Sequence, residues 1–206
     1  MKLTTTLDKI RACNSYTPGW QTLLKSLGPD FDSTAEINLL TILESNGVAD
    51  MLWYLRVTEQ DSKRVAAQLA IEFAEEVLLI FEGKYPADQR PRKVIQAARD
   101  YLDGKISPKE LKAYRAAAYA AADAANADAY ADAYATAYAA YAAADACVAY
   151  AVAYADAYAD AADAAYTAAD AAYAAYAADT ADAAYAAAHE KARIKQAEII
   201  KKYLEW

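Results

Sequence analysis

Five side chains between positions 53 and 99 have the types and spacing to do recognition chemistry. Trp53 and Arg56 stand in Leu-Trp-Tyr-Leu-Arg, and Arg90, Arg92 and Arg99 surround Asp88-Gln-Arg-Pro-Arg and the segment after it. A guanidinium is a planar fork of donors that matches a carboxylate or a phosphate two bonds at a time. Arg92 and Arg99 are seven residues apart, so on a helix they share a face. Two readings stay open for them: intramolecular bridging to Glu72, Glu75 or Glu76, or a cationic patch for a phosphate or an acidic partner. Further along, Tyr134, Tyr138 and Tyr154 lie on tyrosine stripes that could pack as core or offer an aromatic ligand surface.

Residues suited to catalysis are scarce. His189 is the only histidine and lies in a charged turn of a helix, where a solvated role is the plain reading. No phosphate-cradling or nucleophile-elbow glycine motif occurs. Asp156, Asp160 and Asp163 group on one helix face, but hard-metal sites draw oxygen ligands from several elements, so the face reads as solvated. Cys13 and Cys147 follow no metal or redox spacing and read as buried, reduced thiols. The expectation is a non-enzymatic protein without cofactor or metal.

The elements that must position the arginines read as helices throughout. Residues 1–30 give short helices with a turn at Pro18-Gly19 and an end at Gly28-Pro29. Ser33-Thr-Ala-Glu36 is a capping-box pattern for a helix through Ile37, Leu40 and Leu43, ending at Asn46-Gly47. Val48 to Val57 is a short apolar helix. Thr58 is placed to cap the next one, whose Val65, Leu69, Phe73, Val77 and Ile80 mark a core face. Arg90-Pro91-Arg92 opens a helix that stops at Gly104, and Ser107-Pro108 opens another. No strand is expected.

From Lys112 to His189 the chain is almost entirely Ala, Tyr and Asp, and between Ala116 and His189 it has no Lys, Arg, Gly or Pro. Alanine is the strongest helix former but buries little, so tyrosines must supply contact surface. One helix from Lys109 to Trp206 would run about 150 Å at 1.5 Å per residue, so the tract must turn. Tyr130, Tyr134, Tyr138 and Tyr141 form one stripe, and Tyr150, Tyr154 and Tyr158 start another. Asp123, Asp145 and Asp179 violate these phases. Breaks are therefore predicted near Asn126, near residues 143–146 and near Asp179-Thr180. The fold expected is all-α, a multi-helix bundle or array. Residues 1–107 form its N-terminal region, and residues 108–206 form an alanine/tyrosine-rich region packed against it as one unit.

The net charge of −8 is unevenly placed: −1 over residues 1–112, −9 over 113–188 and +2 over 189–206. An acidic middle argues against binding DNA or anionic lipid. No apolar run reaches the ~18 residues a membrane span needs, and the N-terminus has no signal-peptide core. A soluble cytoplasmic protein is expected, with homo-oligomerisation left open.

The succession Leu52-Trp53-Tyr54-Leu55-Arg56, Ala74-Glu-Glu-Val-Leu-Leu-Ile-Phe-Glu82, Arg90-Pro-Arg-Lys-Val-Ile-Gln-Ala-Ala-Arg99 and an alanine-rich helical tail resembles the Imm-5-like immunity proteins of bacteria and phages. The resemblance covers residues 48–206. It implies an inhibitor that binds and neutralises a toxin or a host defence factor. The alternative is a sponge that sequesters a nucleotide-type signal in a Tyr/Arg-lined pocket. An ice-binding surface expects more threonines than Thr136, Thr167 and Thr180. DNA mimicry by the aspartate faces predicts salt-sensitive competition for a basic partner.

Overall fold

The computed structural model describes residues 2–13, 18–128, 137–138, 140–144 and 182–205, with side chains of the last segment from residue 190. Its order is β1 (Thr4–Thr5), α1 (Leu7–Ala12), α2 (Pro18–Leu27), β2 (Ile37–Asn38), α3 (Leu39–Asn46), α4 (Val48–Tyr54) with a 3-10 turn over Leu55–Val57, α5 (Lys63–Lys84), α6 (Arg90–Leu102), α7 (Pro108–Ala127) and, after helical residues at 140–144, α8 (Asp182–Leu204). The fold is all-α, with one small two-stranded pairing.

That pairing corrects the expectation of no strand. β1 and β2 are antiparallel, with Thr4 opposite Asn38 and Thr5 opposite Ile37. The N-terminus is clamped further by Thr5 Oγ1, which donates to the Val57 carbonyl at 2.5 Å, and by Gln60 Oε1, which accepts from the Thr4 amide at 2.9 Å. Thr4 and Thr5 are buried, and these bonds offset the cost of burying them.

Ser33-Thr-Ala-Glu36 does not open a helix. Asp32 Oδ1 accepts from both the amide and the hydroxyl of Thr34, each at 2.8 Å, and holds this stretch as a turn. The α3 cap is Asn38, whose Oδ1 accepts from the Leu40 amide at 2.9 Å. Nor does Thr58 cap α5. Its hydroxyl lies 2.7 Å from the Gln60 carbonyl and 2.9 Å from Ser62 Oγ, and the helix begins four residues later than that cap implies, at Lys63.

Pro18-Gly19 is the first turn of α2 rather than a separate turn, because proline fits the first helical position. An added Cβ on Gly19 would lie 2.0 Å from Asp50 Oδ2. Asn46 Nδ2 donates both to that carboxylate, at 2.8 Å, and to the Gly19 carbonyl, at 2.6 Å, tying α2 to α3 and α4. Gly47 separates α3 from α4 at a φ of 84°, which favours glycine. Cys13 is exposed, against the expected buried thiol, and Cys147 lies outside the described residues.

The break predicted near Asn126 is present, since α7 ends at Ala127. Ser107 and Glu110 form a reciprocal capping box at its start. The predicted turns near 145 and 179 fall on or beside residues outside the description. One core draws side chains from Leu3 to Leu204. Beside it, Phe81 packs among Ala121, Ala122, Ala125 and Ala137, with Tyr85 and Tyr138 at the edge.

Tyr54 is 1% exposed, and its hydroxyl has no hydrogen-bond partner among the described residues. Burial, with the Asp50 charge adding to it, pushes its pKa up to about 12. A buried hydroxyl left unpaired costs stability. Tyr54→Phe is therefore expected to match the parent or exceed it by up to ~1 kcal/mol in urea unfolding. A larger loss would show that the hydroxyl is paired. Because the folded pKa lies above the unfolded value of about 10, the parent should lose more stability than the variant as pH rises from there toward the folded value.

Candidate functional site

Helix α5 buries Leu69, Phe73, Ala74, Val77 and Phe81 on one face and turns Glu72, Glu75, Glu76, Leu79 and Glu82 outward. Those outward positions repeat at three- and four-residue steps, the spacing that aligns side chains on a helix. Helix α6 buries Val94, Ile95, Ala98 and Leu102, which leaves Arg92 and Arg99 at the edge beside α5.

Both arginines are held by two-bond forks. Arg92 donates to both oxygens of Glu82, each at 2.6 Å. Arg99 donates to both oxygens of Glu75, one at 2.9 Å. Seven residues forward along α6 thus correspond to seven residues back along α5, the register of antiparallel helices. The intramolecular reading holds for both arginines. Arg92 takes Glu82 rather than Glu72, Glu75 or Glu76, because the register carries it about two turns beyond Glu75 and Glu76. Arg90 is forked onto Asp88, with bonds of 2.9 and 2.6 Å, at the mouth of α6. The guanidinium hydrogen bonds hold the Glu75, Glu82 and Asp88 carboxyls below their ordinary pKa values.

Helix α8 closes the other side of α5. Lys195 pairs with Glu76, and the Tyr203 hydroxyl donates to Glu72 Oε1 at 3.2 Å. Burial, then the Glu72 charge, raises the Tyr203 pKa to about 12. Two clefts flank this arrangement and share Glu72. One, of about 190 Å³, is lined by Arg64, Gln68, Glu72, Arg99, Asp103 and Tyr203. The other, of about 350 Å³, runs between α5 and α8 and is lined by Glu72, Glu75, Glu76, Leu79, Lys195 and Lys202.

Trp53 and Arg56 form a separate pair that lines neither cleft. The Arg56 guanidinium sits 4.8 Å from the Trp53 ring centre, and its Nε donates to the Trp53 carbonyl at 3.2 Å. Tyr138 packs beside Phe81, with its ring 5.5 Å from that of Tyr141. Tyr134 and Tyr154 lie outside the described residues. The sequence reading missed Leu79, Lys195 and Tyr203. The α5 period marks Leu79 as outward-facing, but nothing local tells that α8 returns to α5.

A profile for the immunity protein Imm5 matches residues 51–206. The chain belongs to the Imm5 immunity protein family. No curated protein and no solved structure gives a significant match. The Imm5 region contains every site residue named above, from Trp53 to Tyr203. Among the described residues there is no group of three His, Cys, Asp or Glu side chains able to hold a metal ion. No described helix is long and apolar enough to cross a membrane.

The Glu75–Arg99 fork has a pH signature. A carboxyl whose pKa is lowered by folding holds fewer protons folded than unfolded, so its stabilisation is full above the unfolded value of about 4.3 and drains as pH falls below it. Glu75→Gln is expected to cost about 0.5–1 kcal/mol at neutral pH, the range of a partly exposed pair. Its unfolding midpoint should also fall less steeply than the parent's on acidification from pH ~5 to ~3. Parallel slopes for parent and variant would remove the fork as the source.

Proposed function

We propose that this Imm5 protein is a non-enzymatic inhibitor that binds a toxin or defence-factor protein in the cytoplasm and neutralises it. The observation that carries the reading is the Imm5 match, which spans the α5–α6–α8 site. The site chemistry supports it. The guanidiniums of Arg90, Arg92 and Arg99 are pre-oriented by carboxylates while remaining partly exposed. Arginines held in this way lose little freedom on docking and are favoured in protein interfaces. With Trp53, Arg56, Tyr134, Tyr138 and Tyr154, they are the contact residues we put forward. The alternative of a nucleotide sponge gains no support from these forks, because carboxylates already fill the positions a phosphate would take.

The partner is to be captured from lysate of the producing cells and identified by mass spectrometry. The chain is then added to that partner's own growth-inhibition assay. Stoichiometric addition should restore growth, and Arg92→Glu, with helix content unchanged, should weaken protection about tenfold or more. A captured partner whose toxicity is untouched would sink the proposal. A nucleotide released from the purified chain, with no protein partner, would replace it with the sponge.

A further inference from the structure

The two most exposed large hydrophobic side chains among the described residues are Leu79, at 73%, and Ile194, at 53%. Leu79 lies opposite the buried face of α5, between the Arg99–Glu75 and Arg92–Glu82 forks on one side and the Glu76–Lys195 pair on the other. Ile194 lies on α8 opposite its buried Gln196, Ile200 and Leu204. The bonds from Glu72 to Tyr203 and from Glu76 to Lys195 make α5 and α8 antiparallel. Continued forward along α5, that register brings Leu79 level with Ile194. Two aliphatic knobs thus stand at one height on neighbouring helix crests, on either side of the 350 Å³ cleft.

We infer that this face pairs with a second copy of the chain. A two-fold axis running along the cleft, parallel to the helices, lays α5 of one copy over α8 of the other. Leu79 then meets Ile194 of the second copy, and Ile194 meets Leu79, the reciprocal contact an isologous dimer requires. The charges fit the same occupant. The axis lays the α8 side of the cleft, with Lys195 and Lys202 against one Glu198, over the α5 side of the second copy, whose charged groups there are Glu72, Glu75 and Glu76, so mostly opposite charges face each other. The resulting interface has an apolar centre rimmed by ion pairs that shield it from water.

The test is sedimentation equilibrium of the full chain with its Leu79→Asp and Ile194→Asp variants, each checked for unchanged helix content. The parent should sediment as a dimer, and each variant should shift to monomer by at least tenfold in dissociation constant. A parent that stays monomeric up to its solubility limit, or an aspartate variant that dimerises as well as the parent, overturns the inference. A second measurement does not depend on tolerance of a buried charge. In a Cys13→Ser, Cys147→Ser background, mixed Leu79→Cys and Ile194→Cys chains should form disulfide heterodimers faster than either forms homodimers. Equal rates would count against the proposed register. The inference is independent of the inhibitor proposal, and these measurements need no toxin.

Discussion

The antiparallel packing of α6 on α5 fixes where nearly every charged group of the site stands. Helix α5 is buried at ten positions, four of them alanine: Ala66, Ala67, Ala70 and Ala74. Small residues let neighbouring backbones approach closely, and α6 answers with Ala97 and Ala98 on its own buried face. At that separation the outward carboxylates of α5 come within reach of the edge arginines of α6. The forks are therefore a consequence of the apolar seam. Taken alone, partly exposed ion pairs contribute little to stability, but they hold five-donor side chains in fixed orientations at the surface.

The alanine-rich half uses the same geometry with a different filler. Alanine removes volume, and an empty interior would forfeit dispersion contacts. Around Phe81 the space left by Ala121, Ala122, Ala125 and Ala137 is taken by Tyr85 and Tyr138. Tyr85 lies against Phe81 with ring centres 5.1 Å apart, and its hydroxyl donates to Asp128 at 2.7 Å, just past the end of α7. Tyr141 meets Tyr119 and Tyr138 at 5.5 Å each and takes the Arg115 guanidinium at 5.2 Å from its ring centre. Among these described tyrosines the ring supplies core volume while the edge or hydroxyl reaches polar partners, which is the amphipathic use of the residue.

This architecture bears on function through what it leaves at the surface. Membership of the Imm5 family sets the functional class, and the structure shows arginines whose charge is already matched within the chain.

Much of this was legible in the residues. Helical periodicity marked α5 and α6, proline at the first turn marked α6 and α7, and a misplaced Asp123 foretold the end of α7, because these signals are local and the 3.6-residue period carries them. For Arg99 the residues narrowed the partner to three carboxylates, Glu72, Glu75 and Glu76, and the register of the two helices selected Glu75. The local signals failed where a distant segment competed. The Ser33 capping box lost to Asp32 and to strand pairing with Thr4 and Thr5, and the Thr58 cap lost to a turn that binds the N-terminus. The return of α8 to α5, which brings Lys195 and Tyr203 to Glu76 and Glu72 and sets Leu79 level with Ile194, is invisible to any window of sequence. The sequence by itself determined that the chain is helical and where most helices start and stop. Only tertiary packing decided that α8 returns to α5 and which of their faces meet, because that depends on contacts between residues more than a hundred positions apart.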